Sequence, residues 1–345
     1  MKAGKLSESV LKRSVLKQLH TDRSFATVPQ TGADYASVTL EQTAAAGVAQ
    51  ETALVSAVAT RCQGGAMNPM LSVYAALNNL YCSGAKAYGI MVNLLLPTSA
   101  NENELREWVK AIDTVCEKEE VAVLGGHTEV VRAVSEPMVT VTALGTVDEV
   151  QRIGAGSVKP GMDILITKQI ALEGTAILAT QHEEELLGRY AAPFIDRAKR
   201  FTDYLSIRSE AAVAAKSGVA AMHDISEGGV FGALWEMGQS SGVGLEIDLK
   251  KIPIRQETVE ICEFFDINPY KLLSGGAAVM AATDGNALVH VLQQAGIEAT
   301  IDGRSKHFFS IYKKMVNQGK TIDQIYDLFA IRILVNDVKD CYAAL

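Results

Sequence analysis

Apolar positions recur along the chain in two alternating rhythms. Behind Asn68-Pro69, the residues Met70, Val73, Tyr74, Leu77, Leu80 and Tyr81 return at helical spacing until Ser83-Gly84 ends the pattern, which predicts a helix. The apolar run from Gly89 to Leu96 reads as a strand. Asn101 and Glu104 stand at the spacing of a capping box, in which each side chain accepts from the other's backbone N–H. Leu105, Trp108, Val109, Ile112, Val115 and Cys116 follow as one apolar stripe. Val121 to Leu124 predicts a short buried strand, and Met138 to Leu144 another. Pro160-Gly161 marks a turn before Asp163 to Thr167, the first strand of a second unit. That unit continues with a helix near 207–216, a strand near 219–222, a helix after Gly228-Gly229, a helix over 287–295 and a strand over 297–301. Interleaved helices and strands imply an α/β (α+β) class with sheets covered on one side. The expected domains are 1–155 and 156–302.

Composition narrows the picture in a few places. A hydrophobic share of 48% with 21% charged residues excludes wholesale disorder. The net charge of −8 provides no overall basic field for nucleic acid or an anionic membrane. No apolar run approaches the roughly 18 residues of a spanning helix. Met1-Lys2-Ala3-Gly4-Lys5 lacks the apolar core of a secretory signal, and the five cysteines include no Cys-x-x-Cys pair. The expectation is a cytoplasmic chain with reduced thiols and no nucleic-acid or membrane partner.

Two strand-to-glycine junctions carry the candidate chemistry. Val121 to Leu124 leads into Gly125-Gly126-His127-Thr128-Glu129, and Val219 to Met222 leads into His223-Asp224-Ile225-Ser226-Glu227-Gly228-Gly229. Glycines let backbone approach a ligand, and a helix N-terminus offers N–H groups to phosphate. Thr128 and Ser226 supply hydroxyl donors, and Glu129 and Glu227 carboxylates suited to a metal or a proton. Each junction alone reads more simply as tight packing, and His127 and His223 as hydrogen-bonded structural histidines, since neither has metal-ligand spacing to a second His or Cys.

Several motifs in order make the first 301 residues resemble the aminoimidazole-ribonucleotide (AIR) synthase superfamily, close to its hydrogenase-maturation (HypE) branch. They are Gly4-Lys5-Leu6, Gly32-Ala33-Asp34, Gly125-Gly126-His127-Thr128-Glu129, Lys168 through Leu172-Glu173-Gly174-Thr175-Ala176, Met222 through Val230, Gly232-Ala233-Leu234-Trp235-Glu236, Ser241-Gly242-Val243-Gly244 and Leu273-Ser274-Gly275-Gly276. The resemblance implies two α/β domains, a homodimer in which the N-terminal sheets join, and ATP with Mg²⁺ activating an amide or carbonyl oxygen of a small substrate. By match, ATP would meet Asp34, Asn79, Gly125, Gly126, His127, Thr128, Glu129, Lys168, His223, Asp224, Gly228 and Gly229, with Asp34 on the metal. Two family acids are replaced: one aligns with Val58, and the Asn-Asp pair reads Asn78-Asn79. Ala171 stands where a loop glycine is common. One charge pair at about 4 Å is worth on the order of 4 kcal/mol at an effective dielectric near 20, before desolvation. The resemblance with these losses therefore implies a degenerate Mg-ATP site. A non-catalytic dimeric scaffold or metabolite binder is the alternative.

The composition changes after Asp302. Residues 303–345 hold seven Lys/Arg against four Asp/Glu, a net of +3, which leaves 25 against 36, or −11, for residues 1–302. Gly303-Arg304-Ser305-Lys306-His307-Phe308-Phe309-Ser310-Ile311-Tyr312-Lys313-Lys314 and Tyr326-Asp327-Leu328-Phe329 resemble the start of the RelA/SpoT (p)ppGpp synthetase domain. By match, Arg304, Lys306, Ser310 and Lys314 correspond to ATP contacts and Asp327 to a Mg²⁺ ligand, a tail that would read as a GTP diphosphokinase. The match ends at Leu345, before the family's catalytic glutamate, so a truncated or fused fragment is expected. Half of such a site cannot bring the acceptor hydroxyl in line. Incubating the 345-residue chain with ATP and GTP is expected to yield no tetraphosphate on chromatography; product formation would refute that expectation.

Overall fold

The computed structural model describes residues 35–40, 52–62 and 64–306. The first unit contains β1 (Ala36–Leu40), β2 (Thr52–Arg61), α1 (Asn68–Tyr81), β3 (Lys86–Leu96), α2 (Glu102–Glu119), β4 (Ala122–Val130) and β5 (Met138–Asp148). The second opens with β6 (Asp163–Thr167), α3 (Leu172–Gln181), α4 (Glu183–Leu187), α5 (Ala192–Lys199) and α6 (Arg208–Lys216). It continues with β7 (Ala221–Ile225), α7 (Gly229–Ser241), β8 (Gly244–Ile247), α8 (Gln256–Phe264), β9 (Ala277–Ala282), α9 (Gly285–Gln294) and β10 (Ala299–Lys306).

The first sheet runs β1-β2-β5-β3-β4, antiparallel except for the β3–β4 pair. Along β5 each odd-numbered residue from Val139 to Val147 is buried and each even-numbered neighbour is not, the alternation of a sheet covered on one face. The covering layer is α1 and α2. Pro69 starts α1, and all but two of its residues are buried because the helix lies between this sheet and the second unit. The Asn101–Glu104 capping box forms as its spacing predicts, and α2 ends at Glu120 in the left-handed conformation. The opposite face of the sheet is open, with Leu54, Val58, Tyr88 and Met91 exposed.

The second sheet runs β7-β9-β6-β10-β8, antiparallel throughout. All residues of β7 and β9 are buried, so this sheet is covered on both faces, unlike the first. Its last strand is longer than the apolar run predicts: beyond Ile301 it continues through Gly303-Arg304-Ser305-Lys306, which pair with Ile247 to Gly244 of β8. A register irregularity between Ile301 and Gly303 lets the strand follow β6 on its other side. The two units share one apolar cluster, in which Val55, Leu77 and Ile90 connect with Leu165, Ile207, Met222 and Met280.

Candidate functional site

Where the units meet, charged side chains are taken out of water. The last residue of β2, Arg61, is 7% exposed, and its Nε lies 2.9 Å from Oε1 of Glu173, 2% exposed in the first turn of α3. Glu173 Oε2 accepts from the Gly275 N–H at 3.1 Å, and Glu227 stands 3.7 Å from Arg61. From α1, Asn78 clamps the next loop: its Nδ2 donates to the Leu205 carbonyl at 2.8 Å and its Oδ1 accepts from the Ile207 N–H at 3.0 Å. Asn79, with its amide nitrogen turned toward β7, donates to Asp224 Oδ1 at 2.9 Å and Oδ2 at 3.1 Å. His223 Nδ1 meets the Asp224 carbonyl at 2.7 Å, and its Nε2 lies 3.3 Å from Glu236 on α7.

Burial pushes the Asp224 carboxyl above its usual range, against the pull of His223, Arg61 and the Ser226 hydroxyl. An acid raised in the folded state favours folding below its unfolded value near 3.8, and that contribution disappears as pH rises through the folded value. Asp224→Asn, which cannot ionise, is therefore expected to gain stability relative to the parent between pH 4 and pH 8. Urea midpoints of both proteins across that range would check this, and parallel curves would refute it.

The sequence candidates occupy two places. Gly125, Gly126, His127 and Thr128 line a cleft of about 710 Å³ beside α2, whose Leu105, Arg106, Val109 and Lys110 form the other wall. The expected buried strand is instead the exposed edge strand β4, and its glycines lie within it rather than after it. Gly126 is explained by close approach: a Cβ there would lie 1.9 Å from the Val92 carbonyl. His127 Nε2 lies 3.1 Å from Glu129, both exposed. Val58, Thr142, Met91 and Gly125 share one row across the open face, so Val58 is three strand spacings, about 14 Å, from that glycine. Asn79, Asp224 and His223 lie on the covered side, in the polar cluster between the units.

Lys168 is near neither group. It bonds Glu210 at 2.7 Å and the Ser206 carbonyl, and burial lowers its pKa against the pull of Glu210. Gly228 and Gly229 have φ of 86° and 62°, and a Cβ on Gly229 would lie 2.4 Å from the Tyr270 carbonyl. The pair thus serves tight packing at the start of α7, where the Gly229 N–H already donates to Ser226 and the Phe231 N–H to Tyr270. Ala171 holds a left-handed φ of 61°, the conformation for which glycine is favoured. Asp34, Ser310, Lys314 and Asp327 lie outside the described residues, and the Arg304 and Lys306 backbones belong to β10. Among the described residues, no three His, Cys, Asp or Glu side chains gather to hold a metal ion, so these residues alone do not fit a carboxylate-held Mg²⁺.

Arg61, Glu173 and Glu236 join the cluster although none is a sequence candidate. The available signal was an arginine ending an alternating strand and glutamates inside otherwise apolar helices, positions where a charge needs a partner.

Comparison with known proteins gives two separate matches. The model of the AIR synthase related protein N-terminal domain matches residues 32–147, and that of its C-terminal domain residues 159–306. A putative hydrogenase expression/formation protein of Methanocaldococcus jannaschii is 29% identical over 217 residues, 63% of this chain and 62% of that protein. The chain therefore spans less than two thirds of that relative's length. A crystal structure of the hydrogenase maturation protein HypE in complex with ATP superposes with a TM-score of 0.66 at 16% identity, covering 90% of this chain and 89% of that one. The region found in RelA/SpoT proteins matches residues 303–345. There, a GTP pyrophosphokinase of Streptomyces coelicolor is 54% identical over 54 residues, 16% of this chain and 6% of that protein.

Proposed function

The chain belongs over residues 32–306 to the AIR synthase-related family, and on that premise we propose that it binds ATP for activation of an amide or carbonyl oxygen, with a blunted grip on the metal-bound triphosphate. The observation that supports this reading is the Asn79–Asp224 contact, where an amide faces a buried carboxylate at the position of a family acid. An amide donor neutralises the Asp224 oxygens by hydrogen bonding, whereas two facing carboxylates would repel one another until a cation lay between them. The fold neighbour solved with ATP supports the choice of nucleotide.

The open face of the first sheet supports a homodimer as part of the same reading. Leu54, Val58, Tyr88 and Met91 expose apolar surface on one side of a sheet otherwise bordered by threonines, and a second copy would remove that surface from water. No helix among the described residues is long and apolar enough to cross a membrane.

Calorimetric titration of the full chain with ATP tests the reading. It predicts saturable heat with a dissociation constant of roughly 0.1–1 mM, equivalent to about −4 to −5.5 kcal/mol, and only a small change on adding Mg²⁺. No heat up to several times that range would favour the scaffold alternative.

A further inference from the structure

A second cleft, of about 1000 Å³, lies along the seam between the units, away from both groups of nucleotide-site candidates. Its walls come from the end of α1, the start of β3, the end of α2 and residues 150–153 on one side, and from α6 with residues 219–220 on the other. Four cationic side chains line it: Lys86, Arg152, Arg208 and Lys216. Arg208 is held by Glu120 at 2.6 Å and Arg152 by Glu149 at 2.6 Å. Lys86 and Lys216 have no carboxylate within ion-pair distance among the described residues. Set against Glu119 and Glu120 in the same lining and Glu149 on Arg152, the four cations leave the cleft a small positive excess in a chain of net charge −8.

Glu119 adds polarity of the opposite kind. It is 5% exposed, and Oε2 accepts from the buried Tyr81 hydroxyl at 2.9 Å. A carboxylate can accept several hydrogen bonds, and among the described residues the Tyr81 hydroxyl is the one side-chain donor to Glu119, so the group can take a further donor from the cleft. Much of the remaining wall is alanine and valine, including Ala85, Ala211, Ala215 and Val219. An anion-holding rim, an acceptor and apolar walls suit one compact ligand with a charged end and a donor-bearing end.

We propose that this seam cleft is a second small-molecule site, taking a phosphate ester of nucleotide size with its phosphate on Lys86 and Lys216 and a hydroxyl or amino group on Glu119. Since the walls belong to both units, the bound ester bridges them and stabilises their packing. Lysine ammonium groups reach such a phosphate as point charges, without the fixed fork of an arginine, which suits a rim of long side chains around a wide opening.

The test is binding of AMP to the full chain by calorimetry in EDTA, compared with inorganic phosphate and repeated on Lys86→Ala/Lys216→Ala and on Asn79→Ala. The site predicts AMP binding at least about tenfold tighter than inorganic phosphate, a loss of at least about tenfold in the double lysine variant, and little change in Asn79→Ala. Lys86 and Lys216 are exposed, so the double variant is expected to unfold at the parental temperature. AMP that fails to bind at about 10 mM overturns the proposal, as does an affinity that the lysine substitutions leave unchanged. So does binding that falls in Asn79→Ala and survives in the lysine variant, since it then belongs to the nucleotide site.

Discussion

Arg61→Ala is expected to destabilise the protein by about 3–5 kcal/mol, the loss seen when one member of a buried ion pair is removed. The substitution leaves the Glu173 carboxylate 2% exposed with the Gly275 N–H as its remaining donor. It also removes the positive charge that partly offsets burial of Asp224. The loss falls where β2 of the first unit meets α3 of the second, at the contact between the units. Urea denaturation followed by far-UV dichroism would measure the loss. An Arg61→Met/Glu173→Leu double variant removes both charges and their desolvation cost, and should recover most of it. A loss below about 1 kcal/mol in Arg61→Ala would place this pair with the solvent-screened ion pairs of ordinary surfaces.

Ending the chain at Asp302 rather than Lys306 is expected to cost on the order of 3–6 kcal/mol. Gly303 to Lys306 are the strand partners of β8, which pairs with no other strand among the described residues. Leu245 and Ile247 of β8 are buried in the second unit's core. Losing that burial is worth about 1.5–3 kcal/mol for each side chain. Chains ending at 302 and at 306 should therefore differ sharply in urea midpoint and in amide exchange across 244–247. Equal midpoints would mean that β8 is held by its helices and not by β10. The expected outcome treats the first four residues of the RelA/SpoT match as part of the second unit's sheet.

Elements with a complete local signal are legible in the sequence alone. The Asn101–Glu104 cap and the apolar stripe behind it define α2 without help from the rest of the chain. The strand over 163–167 also followed from its turn and apolar run. Val121 to Leu124 departs from its expected burial because four apolar residues at a sheet edge resemble four in a core, and only the strand order reveals that β4 has one neighbour among the described strands. β9 carries no such signal: Ala277 to Ala282 is buried on both faces, so it lacks the alternation that marks a half-exposed strand. The Arg61–Glu173 pair joins residues 112 positions apart, a contact that no spacing rule reaches. The glycine pairs were visible, but their close contacts with the Val92 and Tyr270 carbonyls needed coordinates.

The most direct test of the blunted nucleotide site is ATP affinity with and without Mg²⁺, measured by calorimetry on the parent and on Asn79→Asp, which faces a second carboxylate toward Asp224; Val58, on the open face of the sheet, is left unchanged. Weak binding with little metal dependence is expected in the parent, and a gain of at least about tenfold, present only with Mg²⁺, in the variant. Tight Mg²⁺-dependent binding by the parent, or no gain from the restored acid, would contradict it.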